Sequence, residues 1–142
     1  MAKTKLVINY EFDFDLFGLI STEKEYKIAW LINRQLNIHL VKDQDIKLEF
    51  LKSEEISISN YLYQTENAAL RLLKNKSENK NDGRMAYLLP ELSKFDFLLM
   101  KKGYLDGMFD KHFLEEIKHI KEIQYITKVK IDNLKSKENL IF

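Results

Sequence analysis

The chain has 142 residues, 45% hydrophobic and 32% charged, with 23 basic and 22 acidic residues for a net charge of +1. These values are typical of one globular domain, here residues 1–142, with enough chain to bury a core. The absence of cysteine excludes a disulfide framework and a cysteine nucleophile. The balanced charge excludes an overall positive potential that would attract nucleic acid, although a local basic patch is still possible.

The first predicted element is a strand over residues 6–15, where apolar and polar side chains alternate. Its polar face carries three successive acids, Glu11, Asp13 and Asp15. We interpret residues 16–20 as an apolar linker in which Gly18 can adopt a positive φ.

No apolar run approaches the length of a signal-peptide core or a membrane span, so we expect a cytoplasmic protein that does not contact membranes.

The first helix is predicted over residues 22–36. Thr22 and Glu25 have the spacing of a capping box, in which a hydroxyl and a carboxylate satisfy the first free N–H groups. Arg34 lies in the last turn, where a cation suits the helix dipole. Apolar residues at helical spacing predict the buried side, with Leu31 and Ile32 widening a stripe made by Tyr26, Ala29, Trp30, Asn33 and Leu36.

Short strands are predicted next, over 38–41, 46–50 and 56–63. Residues 61–75 could be one helix or two strands around a turn at 64–67. We favour two strands, because the preceding residues are β-branched and aromatic. Residues 75–84 contain no apolar side chain and end in a strong turn signal at Asn81-Asp82-Gly83, which predicts an exposed loop between antiparallel strands.

Residues 87–100 contain the only proline of the chain, Pro90, between two apolar runs. Because proline cannot donate to a sheet ladder, we expect a corner at 90–94 between strands at 87–89 and 95–100. The sequence Leu89-Pro90-Glu91, a gap of three, and Phe95-Asp96-Phe97 resembles the signature of the bacterial IPExxxVDY family. Leu89, Phe95 and Phe97 replace its Ile, Val and Tyr.

The resemblance extends to both ends of the chain, residues 1–6 and 134–142. It implies a Bacteroidetes lineage and a family of unassigned function, and it implies no activity. The missing tyrosine hydroxyl at Phe97 argues against a catalytic role for that position.

A second helix is predicted within 106–120, and a last strand over 123–131. The tail, residues 132–142, has a basic middle and an apolar end. One strand, one helix, a run of strands, one helix and one strand predict an α+β fold: a mostly antiparallel sheet with two main helices packed on one face.

Two acidic groups are candidate sites. Glu11, Asp13 and Asp15 could together bind a divalent cation or perform acid–base chemistry, although a solvated face paired with lysines is the interpretation we favour. Glu91 and Asp96 could bind a partner at the Pro90 corner, but we favour a structural role in which they hold local N–H groups.

Basic and apolar residues near the C-terminus are further candidates. The lysines Lys128, Lys130, Lys135 and Lys137 could contact phosphates, against the alternative of a mixed-charge surface. The apolar end Leu140, Ile141 and Phe142 should dock, and we favour docking on this domain over docking on a partner. Trp30 and several tyrosines could stack on bases, but we expect them in the core.

The three histidines lack zinc-binding spacing, and the scattered glycines form no phosphate loop. We therefore expect no cofactor and no metal, and find no positive evidence for an enzyme. The first hypothesis is a non-catalytic binding or adaptor domain that acts through a protein partner or self-association. The second is an RNA- or ribosome-associated factor that uses the C-terminal lysines. The third is a metal-dependent enzyme at the N-terminal acids.

Overall fold

A computed structural model of the protein describes residues 13–50, 54–78, 85–103 and 110–142. Two α-helices occur in these ranges, α1 (Glu25–Leu36) and α2 (Asp110–Lys118). The strands are β1 (Asp15–Ile20), β2 (Val41–Lys42), β3 (Ile46–Phe50), β4 (Glu54–Ile58), β5 (Asn60–Gln64), β6 (Ala69–Lys74), β7 (Lys76–Glu78), β8 (Met85–Tyr87), β9 (Phe97–Lys102) and β10 (Tyr125–Val129).

The main sheet has six strands in the order β10-β1-β9-β6-β5-β2, and every neighbouring pair is antiparallel. Two small hairpins accompany it, β3 with β4 and β7 with β8. This architecture confirms the predicted α+β class.

The sheet is covered on both faces, because alternate residues of its strands enter two different cores. On one face, α1 and α2 pack on Phe17, Leu19, Leu70, Leu72, Phe97 and Leu99. On the other face, the β3–β4 hairpin, the Pro90 corner and the tail pack on Leu16, Leu73 and Leu98. The prediction that the helices share one face is confirmed.

The inner strand β1 corrects the prediction for residues 16–20, which are a strand rather than a linker. Leu16 and Phe17 are fully buried and lie opposite β9 on one side and β10 on the other. Gly18 has no positive φ. It is required because the Phe95 ring lies directly on it: a Cβ there would be 2.6 Å from that ring. Only residues 13–15 of the strand predicted over 6–15 lie within the described residues, and Asp15 begins β1.

Helix α1 ends at Leu36 as predicted, but its start and its buried side differ. It begins at Glu25, and Lys24 at the N-cap makes no side-chain hydrogen bond, so the capping box is wrong. Instead, the Ser21 hydroxyl accepts the Glu23 N–H at 3.1 Å and donates to the Glu122 carbonyl at 2.7 Å. The buried residues are Ile28, Ala29, Leu31, Ile32 and Leu36, whereas Tyr26 and Trp30 are exposed.

The middle of the chain confirms the two-strand interpretation of residues 61–75, because β5 and β6 pair antiparallel from Asn60 with Leu73 to Gln64 with Ala69. The strand predicted at 38–41 is reduced to β2, and the one predicted at 56–63 is divided between β4 and β5 at Ser59. The exposed loop predicted at 75–84 is wrong at its start, because Asn75 is fully buried and 76–78 form β7. Residues 79–84 lie outside the described ranges.

The last two elements agree with the sequence. Helix α2 buries Phe113 and Ile117, and its predicted beginning at 106–109 lies outside the described residues. Strand β10 is shorter than predicted and forms one edge of the main sheet. Because β10 pairs with β1 and β1 pairs with β9, the C-terminal strand closes the side of the sheet nearest α2.

Candidate functional site

The outward side of α1 carries an exposed aromatic and cationic surface, made by Tyr26, Trp30 and Arg34 at positions i, i+4 and i+8. Tyr26 is 62% exposed and Trp30, the single tryptophan of the chain, is 55% exposed. The Arg34 guanidinium lies over the Trp30 ring, 4.7 Å from its centroid. We call these three residues the outer stripe.

The outer stripe faces solvent because other residues of α1 already fill the core. Ile28, Leu31 and Ile32 are at most 2% exposed and lie on the side turned to the sheet. At 3.6 residues per turn, Trp30 falls on the opposite side of the helix from these residues. Large aromatic side chains are usually buried, so an exposed Trp next to an exposed Tyr is an informative exception.

The charges on and beside α1 are only partly neutralised within the chain. Lys27 pairs with Glu23 at 3.5 Å, and Glu25 pairs with Lys74 at 3.8 Å. Among the described residues, Arg34 has no carboxylate within ion-pairing distance, and its contact is with the Trp30 ring. Tryptophan, tyrosine and arginine are the residues most enriched at the energetic centres of protein interfaces.

The backbone that carries the outer stripe is held rigidly. The Asn33 side chain accepts the Leu40 N–H at 2.7 Å and donates to the Leu40 carbonyl at 3.2 Å. Gln35 donates to Glu116 of α2 at 2.7 Å, and this hydrogen bond lowers the pKa of the Glu116 carboxyl. A rigid, preorganised surface loses little conformational entropy when a partner binds.

The acids predicted as a cation or acid–base site are paired with lysines instead. Asp13 forms an ion pair with Lys102 at 2.9 Å, and the hydrogen bond from Lys102 lowers the pKa of Asp13. Asp15 lies 3.2 Å from Lys128 and 3.9 Å from the buried Lys101. Glu11 lies outside the described residues. Within those residues, no group of three or more His, Asp or Glu side chains could hold a metal ion.

Glu91 and Asp96 bind different elements and do not form one site. Asp96 accepts the Ser21 N–H at 3.0 Å and pairs with Lys76 at 2.8 Å. Glu91 accepts hydrogen bonds from the backbone N–H and the hydroxyl of Ser136. Both carboxylates therefore stabilise contacts within the fold, which is the structural role favoured from the sequence.

The sequence did not identify the residue around which the Pro90 corner is built, Asn75. Its side chain donates to the carbonyls of Leu92 at 2.9 Å and Phe95 at 3.0 Å, and accepts the Leu89 N–H at 2.9 Å. Its backbone carbonyl accepts the Leu88 N–H at 2.8 Å. The only available signal was its position immediately after the apolar run 69–73, which places it at a strand end.

The tail docks on its own domain through Leu134 and Leu140, so of the three apolar residues predicted to dock only Leu140 does so. Leu134 and Leu140 are buried in the core below the Pro90 corner, and Asn139 donates to the Leu88 carbonyl at 2.8 Å. Ile141 and Phe142 are 40% and 52% exposed. The Phe142 ring lies 5.2 Å from the Arg71 guanidinium.

The C-terminal lysines lie on a surface that carries both signs of charge. Lys128 and Lys130 line an open depression of about 600 Å³ together with Asp15 and Asp132. Lys135 is exposed in the tail, and Lys137 is half-buried. The carboxylates in the depression reduce the positive potential that a phosphate backbone requires.

Comparisons with protein-family models, curated proteins and solved structures found no match to this chain. In the part of the chain that the structure describes, no helix is both long enough and apolar enough to cross a bilayer.

Proposed function

We propose that the protein is a non-catalytic binding or adaptor domain that docks another protein on the outer stripe of α1. The observation that carries this proposal is the exposed Trp30 ring beneath the Arg34 guanidinium. Burial of two exposed aromatic rings on a rigid helix stabilises a complex, because their apolar area leaves water at little entropic cost.

A protein partner fits this surface better than RNA does. The outer stripe presents one uncompensated guanidinium among aromatic rings, whereas RNA binding requires several cations that follow a phosphate backbone. The lysines that could supply such a series lie near carboxylates at β1 and β10. A partner with an apolar segment next to a carboxylate would fill the Trp30 surface and neutralise Arg34.

Membership of the IPExxxVDY family, a bacterial origin and a cytoplasmic location belong to the same proposal. The family and the origin rest on the signature around Pro90. The docking surface does not depend on them.

Affinity capture from a native bacterial lysate tests the proposal, with the wild-type protein, Trp30→Ala and Val41→Thr as baits. Val41 is a control because it is 50% exposed in β2 and is not part of the outer stripe. We expect a protein that is captured by the wild type and by Val41→Thr, lost with Trp30→Ala, and unaffected by nuclease. Loss of the captured protein after nuclease treatment would favour the RNA hypothesis. Equal capture by the wild type and by Trp30→Ala would contradict the docking site.

A further inference from the structure

We infer that an extended peptide segment of a partner protein pairs with β5 at the edge of the main sheet, in a gap between His39 and Gln64. The partner would add a short strand there, so the gap recognises the backbone of an extended chain rather than one particular side chain. The gap uses none of the residues of the outer stripe, so this inference goes beyond the proposed function and does not rest on it.

The gap exists because β2 pairs with β5 over only two residues. The pairing ends with Val41 opposite Leu62, although the same antiparallel register would place His39 opposite Gln64. Between the two separating segments is an open depression of about 440 Å³, which Tyr63 also lines. We call this space the wedge.

The segment before β2 is held in place by α1 rather than by β5. The Asn33 side chain accepts the Leu40 N–H at 2.7 Å and donates to the Leu40 carbonyl at 3.2 Å. These two hydrogen bonds satisfy the backbone of Leu40 as a neighbouring strand would. Closing the wedge would pull this segment away from α1, so the wedge stays open.

Hydrogen bonds around β5 show which of its backbone groups face the wedge. In the turn to β6, the Thr65 N–H donates to the Ala68 carbonyl at 2.8 Å. On the β2 side, the Asp43 N–H donates to the Asn60 carbonyl at 3.1 Å. Successive residues of a strand turn their backbone groups to opposite sides, so Gln64 turns its N–H and carbonyl away from β6 and into the wedge.

The opposite wall of the wedge also presents a donor and an acceptor. Leu40 turns both backbone groups to Asn33, so the preceding residue, His39, turns its own N–H and carbonyl toward β5. Within the described ranges, the backbones of His39 and Gln64 make no hydrogen bond on this side. Each wall therefore offers one N–H and one carbonyl to a ligand.

An extended peptide is the ligand whose groups match both walls. One of its residues can exchange two hydrogen bonds with Gln64, and the next residue, which turns the other way, can exchange two with His39. An apolar side chain of the peptide would lie against Val41 and Leu62, which line the wedge. Because this contact is small, we expect a dissociation constant of roughly millimolar for a short peptide.

NMR of the isotope-labelled full chain tests the inference, with the capped peptide acetyl-Thr-Val-Thr-amide added to about 10 mM. β-branched residues favour the extended backbone that the wedge requires. We expect saturable shifts of the His39 and Gln64 amides, and none in β10 at the other edge of the sheet. The same peptide with an N-methyl group on each residue should shift neither amide, because its residues can no longer donate.

Two variants at Gln64 provide the matched comparison. Gln64→Pro removes the N–H that faces the wedge but no hydrogen bond to β6, because that N–H is turned away from β6. Gln64→Ala changes the side chain and keeps the N–H. Measured at the His39 amide, Gln64→Pro should bind the peptide at least about tenfold more weakly, and Gln64→Ala within about twofold of the wild type. Circular dichroism verifies that both variants are folded.

Two outcomes would overturn the inference even if Gln64→Pro failed to fold. One is the absence of peptide-induced shifts at His39 and Gln64, and the other is equal shifts with the N-methylated peptide. Equal binding by Gln64→Pro and Gln64→Ala would overturn it as well.

Trp30→Ala separates the wedge from the outer stripe. Peptide binding should be unchanged in this variant, because Trp30 does not line the wedge. Loss of binding in Trp30→Ala would place the peptide on the outer stripe, which would overturn the inference and support the proposed function. Failure of the peptide to bind at all would overturn the inference and leave the proposed function to its own test.

Discussion

The Glu91 carboxylate accepts two hydrogen bonds from Ser136, one from the backbone N–H at 2.7 Å and one from the hydroxyl. The two residues are 45 positions apart. Pro90 sets the backbone of the short 3-10 turn that presents Glu91, because its ring fixes φ and its missing N–H is not needed at a helix start. The Pro90 corner thus anchors the tail to the side of the sheet opposite the helices.

Replacement of Glu91 by glutamine should loosen the tail. Glutamine is neutral and offers one acceptor oxygen where the carboxylate offers two, so a charge-assisted hydrogen bond to Ser136 is lost. We expect a loss of about 1 kcal/mol in the free energy of unfolding, measured with urea, and faster amide hydrogen exchange in residues 134–140. Glu115→Gln is the control, because Glu115 is exposed on α2. Equal exchange rates in the two variants would show that Glu91 does not hold the tail.

Acid should weaken the fold partly through Glu91. Burial alone would raise the pKa of this carboxyl, but hydrogen bonds from Ser136 and from backbone N–H groups hold its pKa below the ordinary 4.5. A carboxyl whose pKa is lowered by folding stabilises the protein when ionised, so this stability is lost as the pH falls through the folded pKa. The free energy of unfolding should therefore decline from about pH 5 to about pH 3, and more gently in Glu91→Gln. Parallel curves for the two proteins would contradict this role.

Alanine at Gly18 should destabilise the sheet. The new Cβ would lie 2.6 Å from the Phe95 ring, which is buried against β1. Alanine gains roughly 0.5–1 kcal/mol over glycine in a strand, but overpacking a core costs about 1–3 kcal/mol, so the clash should dominate. In a Phe95→Leu background the same substitution should cost less, because the ring is gone. An equal cost in both backgrounds, by urea unfolding, would argue against this contact.

Alanine at Asn75 should cause the largest loss of stability among these variants. It leaves the buried Phe95 carbonyl and the buried Leu89 N–H without the side chain that satisfies them, and it removes one of two hydrogen bonds to the Leu92 carbonyl. Each unsatisfied buried group costs about 1–3 kcal/mol, so we expect a loss of about 3 kcal/mol or more in thermal or urea unfolding. Asn133→Ala, at an exposed asparagine, should change stability by less than about 0.5 kcal/mol. A small effect at Asn75 would mean that water replaces its side chain.

Alternation of apolar and polar residues along the chain was sufficient to predict most strands and the antiparallel α+β class, because successive side chains of a strand point to opposite faces of the sheet. It failed where tertiary contacts decide. The sequence around Gly18 predicts a linker, and only the tertiary structure shows that the Phe95 ring packs on this glycine. The sequence around Asn75 predicts the start of a loop, and only the structure shows that its side chain donates to two carbonyls of the Pro90 corner.

The same limit applies to the candidate site. Helix α1 has apolar residues on nearly every side, so its periodicity did not show whether Trp30 or Ile28 faces the core. A signal was present, since Ile28, Leu31 and Ile32 with Leu36 already complete a buried stripe. Tyr26, Trp30 and Arg34 then remain as a second stripe on the other side.

Fluorescence of Trp30 tests most directly whether the outer stripe faces a protein, because this is the only tryptophan in the chain. Acrylamide quenching should be strong for the dilute protein, as the 55% exposure of Trp30 requires. We expect quenching to fall and the emission to move to the blue when a protein captured by the wild type is added, with a smaller change in Arg34→Glu. Quenching that stays strong after addition of the captured protein would contradict the account.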